Sequence, residues 1–377
     1  MPKILLCANT DWYLYNFRLA FAKELRRQGH EVILLSPPGD FKDRLQADGF
    51  QWESISLSRR GVNPLNEILS VVRLAKIYKT VQPDLVHHHT IKCVLYGSIA
   101  AAMAKIPGRV NSITGRGFIF SSTEPLALIL KPLIKLVYKF IFSVAKPRVI
   151  FENQNDLAFF LENGLVKREK ADLIPGVGVD TNRFHETDSA VTSSIPIILL
   201  ATRMLWDKGV GVFVNAAKLI NKQGEKARFV LVGGVDEGNP ASIDKEILEQ
   251  WHTDGVVEWW GFRDDLPSIY SSCSIFSFPT MYGEGVPTVL LEASACSCPL
   301  IATDIPGCRD VITHGVNGLL VPPQDPQALA EAIETLLNDP ELRAKMGKAG
   351  RQLALDKFSL EKIIEQTMAV YQKALKS

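Results

Sequence analysis

Ser274-Ile275-Phe276-Ser277-Phe278-Pro279 and, a few residues on, Glu284-Gly285-Val286-Pro287-Thr288-Val289-Leu290-Leu291-Glu292 together set the architecture of this chain. The first run is short, apolar and closed by proline, the pattern of a buried strand. Gly285 makes a loop, and Pro287 suits the first position of a helix, where its missing N–H is no loss. The reading is strand, loop, helix. It places Glu284 in the loop at the carboxyl end of the strand and Glu292 about a turn and a half into the helix. The free N–H groups of a helix start favour an anion, and carboxylates so placed can touch two ends of one elongated ligand. The same spacing also fits two glutamates on a solvated helix face.

Upstream the same unit recurs. Ile197-Ile198-Leu199-Leu200-Ala201 runs into Thr202-Arg203-Met204-Leu205-Trp206-Asp207-Lys208-Gly209, so Arg203 and Lys208 leave a strand end and enter a helix. Fixed cations there can clamp a diphosphate. Phe229-Val230-Leu231-Val232-Gly233-Gly234 is again a strand, ending in glycines that admit a ligand close to the backbone. In open α/β sheets ligands bind outside the carboxyl ends of strands, and three polar devices fall at three such ends. A nucleotide sugar has the matching parts: sugar, diphosphate and ribose.

Further motifs are Tyr15-Asn16-Phe17-Arg18, His87-His88-His89-Thr90, Thr114-Gly115-Arg116-Gly117-Phe118, Pro175-Gly176-Val177-Gly178-Val179-Asp180 and Leu231-Val232-Gly233-Gly234-Val235-Asp236-Glu237. With them the chain resembles, over nearly its whole length, the retaining glycosyltransferases of family four. More narrowly it is similar to a bacterial subgroup that adds hexosamines or related sugars to lipid-linked oligosaccharide precursors, including N-acetylgalactosaminyltransferases of protein N-glycosylation. The resemblance implies the α/β GT-B fold, two Rossmann-like domains facing across a cleft. It also implies a UDP-sugar as substrate, with no cofactor and no metal.

It further implies roles. Glu292 accepts hydrogen bonds from the ribose hydroxyls, and Glu284 faces the donor sugar, positioning it rather than attacking it. Backbone N–H groups around Gly285, Val286, Pro287 and Thr288 touch sugar and phosphate, and Gly233 and Gly234 lie beside the donor. Arg203 and Lys208 neutralise the leaving diphosphate. The base rests on backbone at Phe262-Arg263, at the end of Trp259-Trp260-Gly261-Phe262-Arg263-Asp264. Trp259 and Trp260 read as core before stacking platform. Many relatives carry a histidine in the loop after the fifth front strand, where this chain has Thr114. A histidine contact to the donor sugar is therefore not expected here.

Two alternating β/α series fill the 377 residues, more than one core accommodates. Front strands are expected at residues 3–8, 31–36, 52–57, 85–89, 110–113 and 149–152, and a helix over 14–28 capped by Gly29. Back strands are expected at 195–201, 228–233, 256–261, 275–278, 300–303 and 318–321, with closing helices over 340–357 and 359–373. Repeated βα units give parallel sheets covered by helices on both faces. The expected domains are an acceptor-binding one over 1–176, joined by a returning helix at 359–377, and a nucleotide-sugar-binding one over 177–358.

The net charge of +1 hides an asymmetry. Of 42 basic and 41 acidic residues, 25 and 16 fall in residues 1–183, leaving 17 and 25 for the rest. The halves should meet different partners. The basic half holds the run LALILKPLIKLVYKFIFSVA over residues 126–145. Its Lys131, Lys135 and Lys139 argue against a transmembrane span. The pattern fits a helix on an anionic membrane surface, or one packed on its own sheet. Met1-Pro2-Lys3-Ile4-Leu5-Leu6-Cys7 reaches polar Asn9 too soon for a signal peptide. Six scattered cysteines read as reduced thiols of a cytoplasmic protein, placed peripherally at the inner face of the plasma membrane.

In the front half, His87 and His89 share a strand face. They fit structural histidines or acceptor contacts better than a metal site, since no carboxylate or cysteine lies beside them in sequence. Asn9, Asp11, Arg18, His89, Lys92, Thr114 and Arg116 are the candidate acceptor contacts, with the cations facing phosphates. Near-neutral charge and the absence of an aromatic-basic motif leave no support for nucleic acid. The expected activity is transfer of an N-acetylhexosamine, GalNAc favoured, from a UDP-sugar to a polyprenyl-diphosphate-linked saccharide. Alternatives are a soluble acceptor, a UDP-sugar epimerase of the same fold, or an inactive sugar-nucleotide-binding partner. Intact Arg203, Lys208, Glu284 and Glu292 argue against the last.

Overall fold

The computed structural model describes residues 1–57, 64–115, 125–186, 195–223, 226–281 and 285–376. The chain divides into two compact units, Met1–Val177 with Lys362–Ser377, and Gly178–Glu361.

In the first unit the described strands are β1 (Lys3–Cys7), β2 (Glu31–Ser36), β3 (Gln51–Ser54), β4 (Leu85–His89), β5 (Gly108–Ile113), β6 (Arg148–Phe151) and β7 (Ala171–Leu173). They pair in parallel in the order 3-2-1-4-5-6-7, with Leu5 opposite both Ile33 and Val86. Central strands of a parallel sheet are covered on both faces, and Ile4–Cys7 and Leu85–His89 are accordingly buried throughout. Chain order reverses between β1 and β4, a topological switch point.

The second unit repeats the plan with β8 (Ile197–Ala201), β9 (Arg228–Val232), β10 (Glu258–Trp259), β11 (Ile275–Phe278), β12 (Leu300–Thr303) and β13 (Gly318–Val321). Their order is 10-9-8-11-12-13, all parallel, so this switch point lies between β8 and β11. A continuous core built on Ile198, Leu200, Phe213, Phe229, Phe276, Leu290 and Ile301 fills the unit.

Both parallel sheets expected from the sequence are present. The differences are local. β3 ends at Ser54 and β10 is only Glu258–Trp259. β7 was not foreseen: its sequence, Ala-Asp-Leu, buries only Ala171 and carries no period. The front helix over 14–28 is broken by a π-helical turn, Leu14–Arg18, between the short helix Asp11–Tyr13 and the helix Leu19–Arg27. Among the described residues no helix is long and apolar enough to cross a membrane.

Candidate active site

The switch point of the second unit gathers the polar devices read from the sequence. After β8 the chain makes a tight turn, with Leu205 N–H donating to Arg203 C=O at 2.7 Å, then the single 3-10 turn Trp206–Lys208 and the helix Val210–Ile220. Arg203 stands half exposed and its guanidinium Nη1 pairs with Asp236 Oδ2 at 2.6 Å, which fixes the direction of the fork. Lys208 is only 9% exposed. Its ammonium lies 5.8 Å from the centre of the Phe278 ring, the last residue of β11. The neighbouring exits are stitched together: Met281 N–H donates to Asp207 C=O at 2.9 Å. The two cations thus belong to the loop that faces the start of the next helix.

That helix is Thr288–Ala295. Pro287 is its N-cap, one residue earlier than expected, because its ψ of 116° is extended. No side chain caps the helix start, leaving it open to an anion. Val286 and Pro287 are buried, so the turn from Gly285 into the helix is anchored. Glu292 is the fifth residue of the helix and accepts a 3.0 Å hydrogen bond from the buried Tyr270 hydroxyl. Burial pushes its carboxyl up to about 7, against the lowering effects of the Tyr270 hydroxyl and the Arg183 charge. Tyr270 carries no motif; only the fold brings it to a carboxylate 22 residues away.

β9 is followed by Gly233, whose φ of 147° suits glycine and where a Cβ would overlap the Thr202 carbonyl. Gly233 N–H donates to Gly261 C=O at 2.8 Å, and Trp259 Nε1 donates to Gly233 C=O at 2.9 Å. Trp259 and Trp260 pack against the core, and Trp260 Nε1 donates to Glu258. Phe262 is 69% exposed beside Gly234, and Arg263 is held by both carboxylate oxygens of Asp265. Glu284 and Arg116 lie outside the described residues.

In the first unit, the candidates lie around the β1 and β4 exits, and several are more buried than a surface role requires. Asp11 is 4% exposed. Its carboxylate accepts from the N–H groups of Trp12, Phe41 and Lys42, so it organises two loops instead of facing solvent. Arg18 is buried too, donating to the Tyr13 hydroxyl at 3.0 Å with Glu152 at 3.9 Å. The π turn points this cation inward. Lys92 pairs with Glu67 at 2.8 Å. Asn9 and Thr114 are half-buried at the exits of β1 and β5.

The three histidines are fully enclosed. His87 bonds the Tyr371 and Ser112 hydroxyls, each at 2.7 Å. His88 Nδ1 donates to Asn111 Oδ1 at 2.8 Å, so its Nε2 accepts from the Tyr78 hydroxyl at 3.0 Å. Gly97 makes room for that ring; a Cβ there would overlap it. The His89 ring lies tilted, its centre 3.9 Å from that of His87, with neither ring nitrogen hydrogen-bonded. Burial holds all three below the usual histidine range, His88 at about 4, so they are neutral at pH 7. Among the described residues no three His, Cys, Asp or Glu side chains gather into a metal-binding group.

Comparison with known proteins agrees with this geometry. Residues 184–353 match the family model "Glycosyl transferases group 1", and residues 3–147 match "Glycosyl transferase 4-like". The chain is 30% identical over 375 residues, 97% of itself and 96% of the relative, to the N,N'-diacetylbacillosaminyl-diphospho-undecaprenol alpha-1,3-N-acetylgalactosaminyltransferase of Campylobacter jejuni. It is 26% identical over 330 residues to the UDP-Gal:alpha-D-GlcNAc-diphosphoundecaprenol alpha-1,3-galactosyltransferase of Escherichia coli, covering 83% and 81% of the two chains. Its fold superposes on the Anabaena HepE protein, solved in complex with UDP and glucose, with a TM-score of 0.78, 21% identity and coverage of 99% and 100%. Two parallel switch-point sheets, a full-length relative and matches to both halves lead to one conclusion: the chain belongs to the group 1, family-four-like glycosyltransferases of GT-B fold.

Proposed function

We propose that this glycosyltransferase moves an N-acetylhexosamine, with N-acetylgalactosamine favoured, from a UDP-sugar to a polyprenyl-diphosphate-linked saccharide in bacterial glycan assembly. The observation that carries the acceptor class and the sugar is the 30% identity, along almost the entire length, to an undecaprenyl-diphosphate-linked N-acetylgalactosaminyltransferase. The second unit supplies the chemistry. Glu292 receives the ribose hydroxyls, and the uncapped start of Thr288–Ala295 with Arg203 and Lys208 receives the diphosphate. Glu284 faces the sugar.

As the anomeric C–O bond breaks, charge grows on the diphosphate, and a preorganised cation pair lowers that barrier without reorganisation. Arg203 is aimed by Asp236, and Lys208, poorly hydrated, acts through a lower dielectric. The acceptor hydroxyl attacks on the face the diphosphate leaves, giving retention, and its proton passes to the departing phosphate oxygen. No metal is required in this scheme, because the two side chains hold the charge.

The first unit takes the acceptor, with Asn9, Thr114 and Lys92 near the strand exits. The helix Pro125–Ala145 supports work at a membrane surface: Leu133, Leu136, Val137, Phe140 and Val144 are exposed on one stripe, Phe140 at 64%. The protein then sits peripherally on the inner face of the plasma membrane.

The test is nucleotide release from a panel of UDP- and GDP-sugars, with and without polyprenyl-diphosphate-linked saccharides. Release that needs one UDP-N-acetylhexosamine and the lipid fraction is the expected result. Release with a soluble saccharide alone, or donor isomerisation without release, would replace this reading.

A further inference from the structure

Three of the six cysteines lie in one place, beneath the donor-site helix. Cys273 follows the helix Leu266–Ser272 as its C-cap and is half-buried, packed against the core. Cys298 is buried two residues before β12. Their sulfurs are 3.1 Å apart. β11 and β12 are hydrogen-bonded neighbours, with Phe276 opposite Leu300, so the sheet itself holds the two thiols at the amino ends of adjacent strands. A pair so restrained can be bridged with little movement of backbone.

The pair is also wired to the nucleotide end of the site. The Cys298 thiol donates to the Tyr270 carbonyl at 2.9 Å, and Tyr270 in turn donates its hydroxyl to Glu292. Nothing in the transfer reaction uses these sulfurs.

We propose that Cys273 and Cys298 form an oxidisable dithiol, closed to a disulfide by a hydroperoxide, and that the closed form binds the nucleotide less tightly. The second part rests on Glu292 as the ribose partner. The chemistry balances in two steps. The Cys273 sulfur attacks one oxygen of hydrogen peroxide, the O–O bond breaks, and water leaves as the sulfenic acid forms. The Cys298 sulfur then attacks the sulfenic sulfur, the S–O bond breaks, and a second water carries off the Cys298 proton. Two thiols are oxidised and one peroxide is reduced to two waters. The new bond removes the thiol donor from the Tyr270 carbonyl and pulls on the last turn of the helix that carries Tyr270.

The chain contains its own control. Cys7 and Cys93 also hydrogen-bond through their thiols, but both are fully buried. Proximity without access should leave them reduced.

The experiment treats the full chain with hydrogen peroxide, maps thiols by differential alkylation and mass spectrometry, and measures UDP affinity by calorimetry before and after. Two of the six thiols should vanish into one Cys273–Cys298 linkage that dithiothreitol reopens, with Cys7 and Cys93 untouched. UDP affinity should fall about 3- to 10-fold on closure and recover on reduction. The variants C273S and C298S should each abolish both changes. Persistence of all six thiols, over-oxidation of Cys273 alone, or linkage of Cys273 to Cys296 would overturn the dithiol. A closed disulfide with unchanged UDP affinity would overturn the coupling. If the reduced chain binds no UDP, the donor-site reading falls, while the thiol map still judges the dithiol.

Discussion

The Tyr270 hydroxyl donates to Glu292 Oε2 across 3.0 Å, joining the helix Leu266–Ser272 to the helix Thr288–Ala295 below the switch point of the second sheet. Tyr270 is fully buried and Glu292 largely so, and each leaves the other little freedom. Removing the hydroxyl by Tyr270→Phe keeps the packing and withdraws the donor that, among the described residues, aims the carboxylate. A hydrogen bond to a charged group contributes about 1.5–3 kcal/mol, of which only part reaches the substrate. The KM for UDP-sugar should rise about 5- to 20-fold with kcat within about 2-fold. Steady-state kinetics at fixed acceptor would show this; an unchanged KM would remove Tyr270 from the site.

Glu292 also sets a pH dependence. Its carboxyl is held at about 7 by burial, and in the proposed role of ribose partner it has to ionise to accept two hydroxyls. Donor binding should therefore weaken as pH falls below about 7, with KM rising up to about tenfold per unit. Glu292→Gln should show a higher and flat KM over the same range. Stability runs the other way. A raised carboxyl pKa favours the folded state fully below the unfolded value of 4.5, and that advantage is lost as pH rises through 7. Glu292→Gln should thus melt above the parent at pH 8 and converge with it below pH 4.5. Melting curves at the two pH values check the sign.

The cation pair gives a third test. Arg203→Ala and Lys208→Ala should each lower kcat about 10²- to 10³-fold, by analogy with loss of one preorganised oxyanion donor. Asp236→Asn keeps Arg203 but loosens its aim, and about a tenfold loss in kcat is expected, with the KM for the sugar donor nearly constant. Rapid-quench measurement of the chemical step separates this from slow product release. Equal rates for Asp236→Asn and the parent would show that Arg203 needs no aiming.

How much of this was legible in the sequence depends on the range of the interaction. Runs such as Ile197–Ala201 and Ile275–Phe278 declare buried parallel strands because both faces are covered and no polar alternation is needed. The exits carry their own punctuation, Gly233 and Pro287 among them. Three-residue β7 and two-residue β10 are too short to show a period. The pairings of Asp236 and Tyr270 were not legible because their partners, Arg203 and Glu292, lie 33 and 22 residues away. Arg18 and Asp11 read as acceptor contacts. A π turn and two adjoining loops take them inside, and such turns arise from tertiary packing.

Acid should unfold the first unit through its histidines. His88 has a folded pKa of about 4 against 6.5 for an ordinary histidine, and His87 and His89 are lowered well below 6.5 by burial. Groups kept neutral in the folded state contribute stability above the unfolded pKa, and that contribution is lost as pH falls from about 6.5 through about 4. Circular dichroism against pH should show a transition inside this window. His88→Ala removes the ring that satisfies both Asn111 and Tyr78 and should cost about 3–5 kcal/mol in urea titrations at pH 7.5. An acid transition confined to pH below 3 would exclude the histidines as its cause.

The exposed stripe on Pro125–Ala145 yields the last prediction. Leu136 and Phe140 project away from the core, while Tyr138, Ile141 and Phe142 on the other side pack into it. Lys135 is not a free headgroup ligand: its ammonium donates to Asn163 Oδ1 at 2.5 Å and lies over the Phe159 ring. Among the described residues of this helix, the apolar stripe and the exposed Lys139 are available for membrane attraction. Burying a Leu or Phe side chain in the acyl boundary contributes about 1.5–3 kcal/mol, and a Lys near an anionic surface about 1. The double variant Leu136→Ser/Phe140→Ser should lower the partition coefficient onto anionic liposomes about 10²-fold or more, and Lys139→Glu alone about 5- to 30-fold. Neither should move the melting temperature by more than a few degrees, because the altered side chains face away from the core. Transfer to a water-soluble acceptor analogue should be unchanged, while transfer to the acceptor embedded in vesicles should fall with the partition coefficient. Equal vesicle activity in parent and double variant would show that the lipid-linked acceptor is reached without this helix.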